Sequence, residues 1–154
     1  MRAAITICLM AFLVFLPWPV QSDGRSGGAA MLTIESNGSR HRFAVEIADT
    51  PALQARGLMF RRDLARDAGM LLVYETEATV TMWMKNTYLP LDMLFIAADG
   101  RIIHIVERTV PLSTQIISSR KAALAVLELN GGTVSRLAIA VGDKVRHNAF
   151  KNSE

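Results

Sequence analysis

The feature that most constrains this chain is its punctuation: from residue 31 onward, short apolar or alternating runs are broken at close intervals by turn-forming residues. Residues 31–34 and 41–47 flank Asn37-Gly38, the dipeptide best suited to a two-residue turn, so they are expected to pair as a hairpin. Residues 70–74, 79–84, 93–96, 101–106, 124–129 and 144–146 read as further strands. Leu89-Pro90, Asp99-Gly100, Asn130-Gly131-Gly132 and Gly142-Asp143 separate them. Helical signals are brief. Thr50 offers an N-cap and Pro51 a first helical position to a short helix that Gly57 ends, and Thr133 can cap one turn through Leu137. The pattern predicts a mainly β fold with an α+β margin: a single compact antiparallel β-sandwich or open barrel with one or two short helices.

The N-terminus has the layout of an export leader. Arg2 gives a positive start, residues 3–16 run for 14 positions without a charge, Pro17 and Pro19 end any helix, and Val20-Gln21-Ser22 suits signal peptidase. A spanning helix needs about 20 apolar residues, and this run is shorter. Residues 1–22 are therefore expected to be a signal peptide, 23–29 a flexible lead-in and 30–150 one β-rich domain, periplasmic or secreted. Cleavage near Ser22/Asp23 leaves no membrane span; retention as an anchor is the alternative. The one cysteine, Cys8, falls in the leader, so the domain must be held by packing alone. Cleavage removes only Arg2 among charged residues, leaving 16 basic and 14 acidic side chains, a formal charge of +2. No Lys/Arg run has the density of a nucleic-acid footprint, and nucleic acid is not expected as a partner.

Catalytic and metal-binding motifs are sparse in this chain. Gly24-Arg25-Ser26-Gly27-Gly28 matches the G-x-S-x-G nucleophile elbow, which needs a strand before the serine and a helix after it; here a leader and a linker surround it. Asn37-Gly38-Ser39 fits a glycosylation acceptor, but a hairpin tip accounts for it. His41, His104 and His147 have no ligand spacing, and no metal or cofactor is expected. Met82 and Met84, with Met59, Met70 and Met93, offer thioethers suited to Cu(I). Strand alternation instead puts Met82 and Met84 on one face with Val80, the pattern of a core stripe. Met70, Leu72, Met82, Met84, Phe95, Leu127 and Leu129 are the expected core.

The densest chemical signal is Trp83-Met84-Lys85-Asn86-Thr87-Tyr88-Leu89-Pro90-Leu91-Asp92. If Met82 and Met84 face inward, Trp83 and Lys85 face outward, and an outward tryptophan is unfavourable unless covered or used. Glu128 and Asn130 share a face at the end of an apolar strand, where a carboxylate generally has a partner. The plainer account pairs Lys85, Arg56 or Arg61 with Asp92 or Glu128 and has Asn86 tie its own loop.

Taken in order, Arg56-Gly57-Leu58-Met59-Phe60-Arg61, Gly69-Met70-Leu71, Trp83-Met84-Lys85-Asn86-Thr87, Leu89-Pro90-Leu91-Asp92-Met93-Leu94-Phe95, Asp99-Gly100, Leu127-Glu128-Leu129-Asn130-x-Gly132 and Gly142-Asp143 resemble the pattern of domain-of-unknown-function family 192, also called uncharacterised protein family 0127. The resemblance covers about residues 31–147, and its W-M-K-N-T and L-P-L-D-M-x-F blocks are specific. It implies a compact, mainly β domain often found behind a signal peptide, and supplies no activity. Residues 111–121 depart from it in lacking a second proline and a cysteine, and Gly131 replaces the alanine usual in its L-E-L-N-A-G block.

Joined in one groove, Trp83 would be a stacking platform, Arg56, Arg61 and Lys85 donors, and Asn86, Asp92, Glu128 and Asn130 hydrogen-bonding partners. That set suits a polyhydroxylated or anionic small ligand such as a glycan fragment. The expected function is thus an envelope-associated binding module. An enzyme acting on envelope sugars with Asp92 and Glu128 as acid and base, a structural or protein-interaction domain, and a soft-metal methionine site are the alternatives.

Overall fold

The computed structural model describes residues 29–150; the expected signal peptide, most of the lead-in and the Ser26 motif lie outside the described residues. Strands β1 (Ala30–Ser36) and β2 (Ser39–Ala48) form the expected hairpin, with Asn37 and Gly38 both at positive φ, 48° and 74°. That is the geometry a tight turn between twisted antiparallel strands requires. Helix α1 (Pro51–Arg56) follows, with the Leu53 N–H donating to the Thr50 hydroxyl and Gly57 at its end.

β3 (Ala68–Met82) then lies beside β2, parallel to it, with Val45 opposite Gly69 and Ile47 opposite Leu71. This one parallel pair departs from the antiparallel expectation. Residues 49–67 make the crossover that a parallel pair needs. The runs expected as two strands, 70–74 and 79–84, are a single bent strand. Its register slips between Val73 and Ala78 and again between Thr79 and Thr81, so exposed Glu75, Thr76 and Glu77 form an irregularity within the ladder rather than a turn.

β4 (Leu91–Ile96) and β5 (Ile102–Val106) form a hairpin around Asp99-Gly100, and β6 (Ile117–Asn130) returns between β3 and β4. The short helix α2 (Thr133–Leu137) leads to β7 (Lys144–Arg146), which pairs with β1. The seven strands run β5-β4-β6-β3-β2-β1-β7 in one curled sheet. Its two edges approach each other at one corner, where Ile102 N–H donates to Asp143 O at 2.9 Å and Val145 N–H to Gly100 O at 2.8 Å. The result is an open, half-closed barrel, mainly β, with two short helices.

Both faces of the sheet are covered. One carries Leu32, Phe43, Leu71, Leu94, Leu127, Leu129, Val134 and Phe150; the other carries Leu58, Met70, Leu72, Met84, Met93, Phe95 and Val126. A strand buried on both sides reads as a continuous apolar run, which is why all six positions of β4 are buried. Met82 alone among the expected core residues is only half-buried, because β3 ends there and its side chain borders a cleft. No helix among the described residues is long and apolar enough to cross a membrane.

Candidate functional site

The site is built around one residue. Glu128 lies on the central strand β6, opposite Met70 of β3 and Met93 of β4, so two thioether side chains flank it on its own face. The crossover after β2 closes over it. Gly57 has φ 47° and ψ −137°, and a Cβ there would stand 3.4 Å from Glu128 Oε2. Gly69, on the β3 side, approaches so closely that a Cβ would sit 2.6 Å from the Glu128 carbonyl oxygen. Glycine is needed at both positions, at Gly57 for its backbone conformation and at Gly69 for space.

Glu128 is 4 % exposed and its Oε2 has no hydrogen-bond partner among the described residues. Burial pushes its carboxyl up to about 7, against the smaller opposing pull of the Leu58 N–H and the Arg61 charge. An unpaired buried carboxylate oxygen is unfavourable for the fold. Here it borders a cleft of about 410 Å³, whose wall includes Arg56, Met59, Tyr74, Met82, Trp83 and Ile116. Burial raises the Tyr74 phenol too, and the Glu128 charge adds to the effect; its O–H points to Met82 Sδ at 3.7 Å. Trp83 is 44 % exposed and Ile116 61 %, so the mouth is apolar and the floor acidic.

The expected site residues divide. Glu128, Trp83 and Arg56 line this cleft together. Lys85 stands beside it, its ammonium 5.3 Å from the Trp83 ring centroid, a cation–π contact in place of the expected ion pair. Arg61 also differs from expectation, since Glu46 on β2 takes both its terminal nitrogens, one at 2.6 Å. This bond lowers the Glu46 carboxyl and raises the guanidinium. Asn86 is tied to the crossover rather than to its own loop: it sits at φ 58°, its carbonyl accepts the Phe60 N–H at 2.8 Å, and its amide reaches Met59 Sδ at 3.9 Å.

Asp92 and Asn130 lie elsewhere. Asp92 pairs with Leu129 while Glu128 pairs with Met93, so strand alternation sends the two carboxylates to opposite faces of the sheet. Asp92 is fully buried and accepts N–H bonds from Arg108 at 2.8 Å, Gly132 at 2.9 Å and Val134 at 2.8 Å. It fastens the start of α2. Asn130 donates to the Leu64 and Ala65 carbonyls at 3.1 and 2.8 Å, pinning the crossover loop. The register thereby removes the acid and base pair envisaged for a sugar-cleaving enzyme.

Several cleft residues were not foreseen. Tyr74 shares strand parity with Met70 and Leu72, and that periodicity is a usable signal; Gln54 comes from α1 and Ile116 from the loop before β6, and neither carries one. Met70, Met84 and Met93 are buried in the apolar cluster, and only Met59 and Met82 reach the cleft. No group of three His, Cys, Asp or Glu residues able to hold a metal occurs among the described residues.

A curled seven-stranded half-barrel with a buried acid under an aromatic-edged cleft defines a class of small β domains, not a known catalytic constellation. The chain belongs to the DUF192 family, "Uncharacterized ACR", whose sequence profile matches residues 32–147. Two solved structures share the fold. A Sinorhizobium meliloti 1021 protein, provisionally designated a transcription regulator, is 46 % identical with a TM-score of 0.77, covering 80 % of this chain and 98 % of its own. A Novosphingobium aromaticivorans DSM 12444 protein of unknown function is 39 % identical with a TM-score of 0.77, covering 80 % and 89 %. No curated protein matches the chain significantly.

Proposed function

We propose that this protein is an exported, envelope-located binding module that takes a small polyhydroxylated ligand, such as a glycan fragment, in the Trp83–Glu128 cleft. The observation that carries the reading is the unpaired, buried Oε2 of Glu128 beside a cleft bordered by a partly exposed indole. A sugar hydroxyl is a donor of the right kind for that oxygen, and the apolar face of a pyranose stacks on an aromatic ring. The flanking Arg56 offers a donor to ring or carboxyl oxygens. The leader's charge, length and proline pattern support the location.

The regulatory designation of the Sinorhizobium protein does not transfer readily. The two helices among the described residues, α1 and α2, have six and five residues, short for a helix that must lie in a major groove and reach base edges.

A glycan array followed by titration of Trp83 fluorescence tests the reading. Trp83 is the only tryptophan outside the leader, Trp18 being the other. A saturable change with one oligosaccharide class, lost in Trp83→Ala and Glu128→Gln, is the expected result. An array on which nothing binds would remove the carbohydrate assignment.

A further inference from the structure

We propose a second site, independent of the Trp83–Glu128 cleft, at which three arginines gathered by the fold bind a small phosphate-type oxyanion. Arg66 lies in the crossover before β3, Arg108 follows β5, and Arg136 lies on α2; far apart in sequence, they line one open cavity of about 620 Å³ with the hydroxyl residues Thr133 and Ser135. Among the described residues no carboxylate lines it. None of the three guanidiniums takes part in an ion pair among the described residues. Like charges held around one concavity repel each other, and an anion placed between them relieves that repulsion.

The chain's other arginine-lined cavity shows the difference. There Arg40, Arg42 and Arg146 surround Glu35, which pairs with Arg40 at 3.4 Å and with Arg146 at 3.0 Å. That cluster carries its own counter-charge, and the Arg66–Arg108–Arg136 cluster has none on its wall.

Arg108 is exposed, but its backbone is set in place. Its backbone is at φ 47°, an unfavourable conformation for a side-chain-bearing residue, and is fixed by the N–H bond to Asp92. Its guanidinium lies against Gly132, where a Cβ would stand 3.1 Å from Nη2 and 3.2 Å from Nε. Asp92, beneath the cavity, already occupies the Gly132 and Val134 N–H groups, so recognition falls to the guanidiniums. Three cations over one buried carboxylate leave net positive charge. Planar guanidinium forks match phosphate oxygens in pairs, which a point charge does not. The depression is open to solvent, leaving room for the group that carries the phosphate.

The test is an amide-resonance titration of the purified protein with sodium pyrophosphate, alongside sedimentation with vesicles of phosphatidylcholine with and without phosphatidylglycerol. Saturable shifts at residues 66, 108 and 131–136, with Kd weakened roughly tenfold or more by Arg136→Gln or Arg66→Gln, are expected for a soluble phosphate compound. Vesicle binding that needs phosphatidylglycerol and is lost in the same variants, without pyrophosphate shifts, assigns the phosphate to a lipid headgroup. Arg66 and Arg136 are exposed, so these variants should keep the wild-type melting temperature; Arg108→Gln extends the test if it folds. Shifts that never saturate, shifts indifferent to all the substitutions, or binding of duplex DNA alone would each overturn the proposal. Trp83 emission unchanged by pyrophosphate separates this site from the first cleft.

Discussion

Asp92 and Glu128 stand on neighbouring strands one register step apart, yet their carboxylates leave opposite faces of the sheet, one satisfied by three amide N–H groups and the other with an unpaired oxygen. The same side-chain chemistry serves different ends in the two places. Asp92 is structural: Asp92→Ala strips the acceptor from N–H groups of Arg108, Gly132 and Val134. The Val134 donor is buried and the other two partly so; a buried donor left unmade costs about 1–3 kcal/mol, so the variant should lose about 3 kcal/mol in urea denaturation. A loss under ~1 kcal/mol would show that water replaces the carboxylate without penalty.

Glu128 should behave in the opposite way. Its carboxyl is raised from 4.5 to about 7 by burial, so between those values the native state binds a proton that the unfolded chain has released. Stability therefore falls as pH rises through this window and levels off above it. Glu128→Gln removes the ionisation, and the variant should be more stable than wild type at pH 8 by up to about 3 kcal/mol. Near pH 4 the two should converge. Melting temperatures measured across that range check it, and a difference independent of pH would contradict the buried-acid assignment. A ligand that donates to the ionised carboxylate must bind more weakly below pH 7, and it must release a proton on binding near neutrality.

Why the sequence disclosed some of this and not the rest is a matter of range. Asn37-Gly38 and Thr50-Pro51 act through their own backbone, and both the hairpin and α1 are where those residues require them. The β2–β3 parallel pair depends on how the 49–67 crossover folds back, which no local pattern encodes. Glu75, Thr76 and Glu77 look like a turn because they are polar, yet they form a bulge without partners on β6 and β3 continues through it. Glu128 stood out as a lone acid in an apolar strand. Strand alternation joins Asn130 to it and the family pattern adds Asp92, but Asn130 turns to the Leu64 and Ala65 carbonyls and only the register shows that Asp92 belongs to the other face. The three arginines of the second cavity come from separate segments, so their convergence left no mark on local composition.

The core gives a third test, of strand register. Phe95 is fully buried on β4 and its ring stacks on His104 at 5.7 Å between centroids. Truncation to alanine leaves a cavity between tightly packed Met93, Val126 and Ala123 neighbours of the same cluster. Phe95→Ala should cost about 3–5 kcal/mol, the range for a fully packed aromatic. A loss below ~1 kcal/mol would mean that the site collapses freely and that this face is not the packed one.

The Trp83, Lys85 and Asn86 series separates a ligand site from a well-tied loop. Asn86 holds a left-handed backbone conformation and accepts the Phe60 N–H through its carbonyl; only its αL preference and a long contact to Met59 Sδ depend on the side chain. Asn86→Ala should therefore cost about 1 kcal/mol of stability and reduce binding only in proportion to the folded fraction. Lys85 makes no ion pair among the described residues, and its contact with the exposed face of Trp83 is worth about 0.5–1 kcal/mol at most. Lys85→Ala should leave the melting temperature within a few degrees of wild type. Trp83, half in solvent, should contribute little to folding, so Trp83→Ala is expected to melt normally and lose oligosaccharide binding at least tenfold, as a stacking residue at the centre of a site does. Intrinsic fluorescence is lost with the indole, so binding to this variant is read by calorimetry. If Trp83→Ala instead unfolds the protein while Lys85→Ala and Asn86→Ala change nothing, the indole is part of the packing and the cleft beside it has no claim to be a binding site.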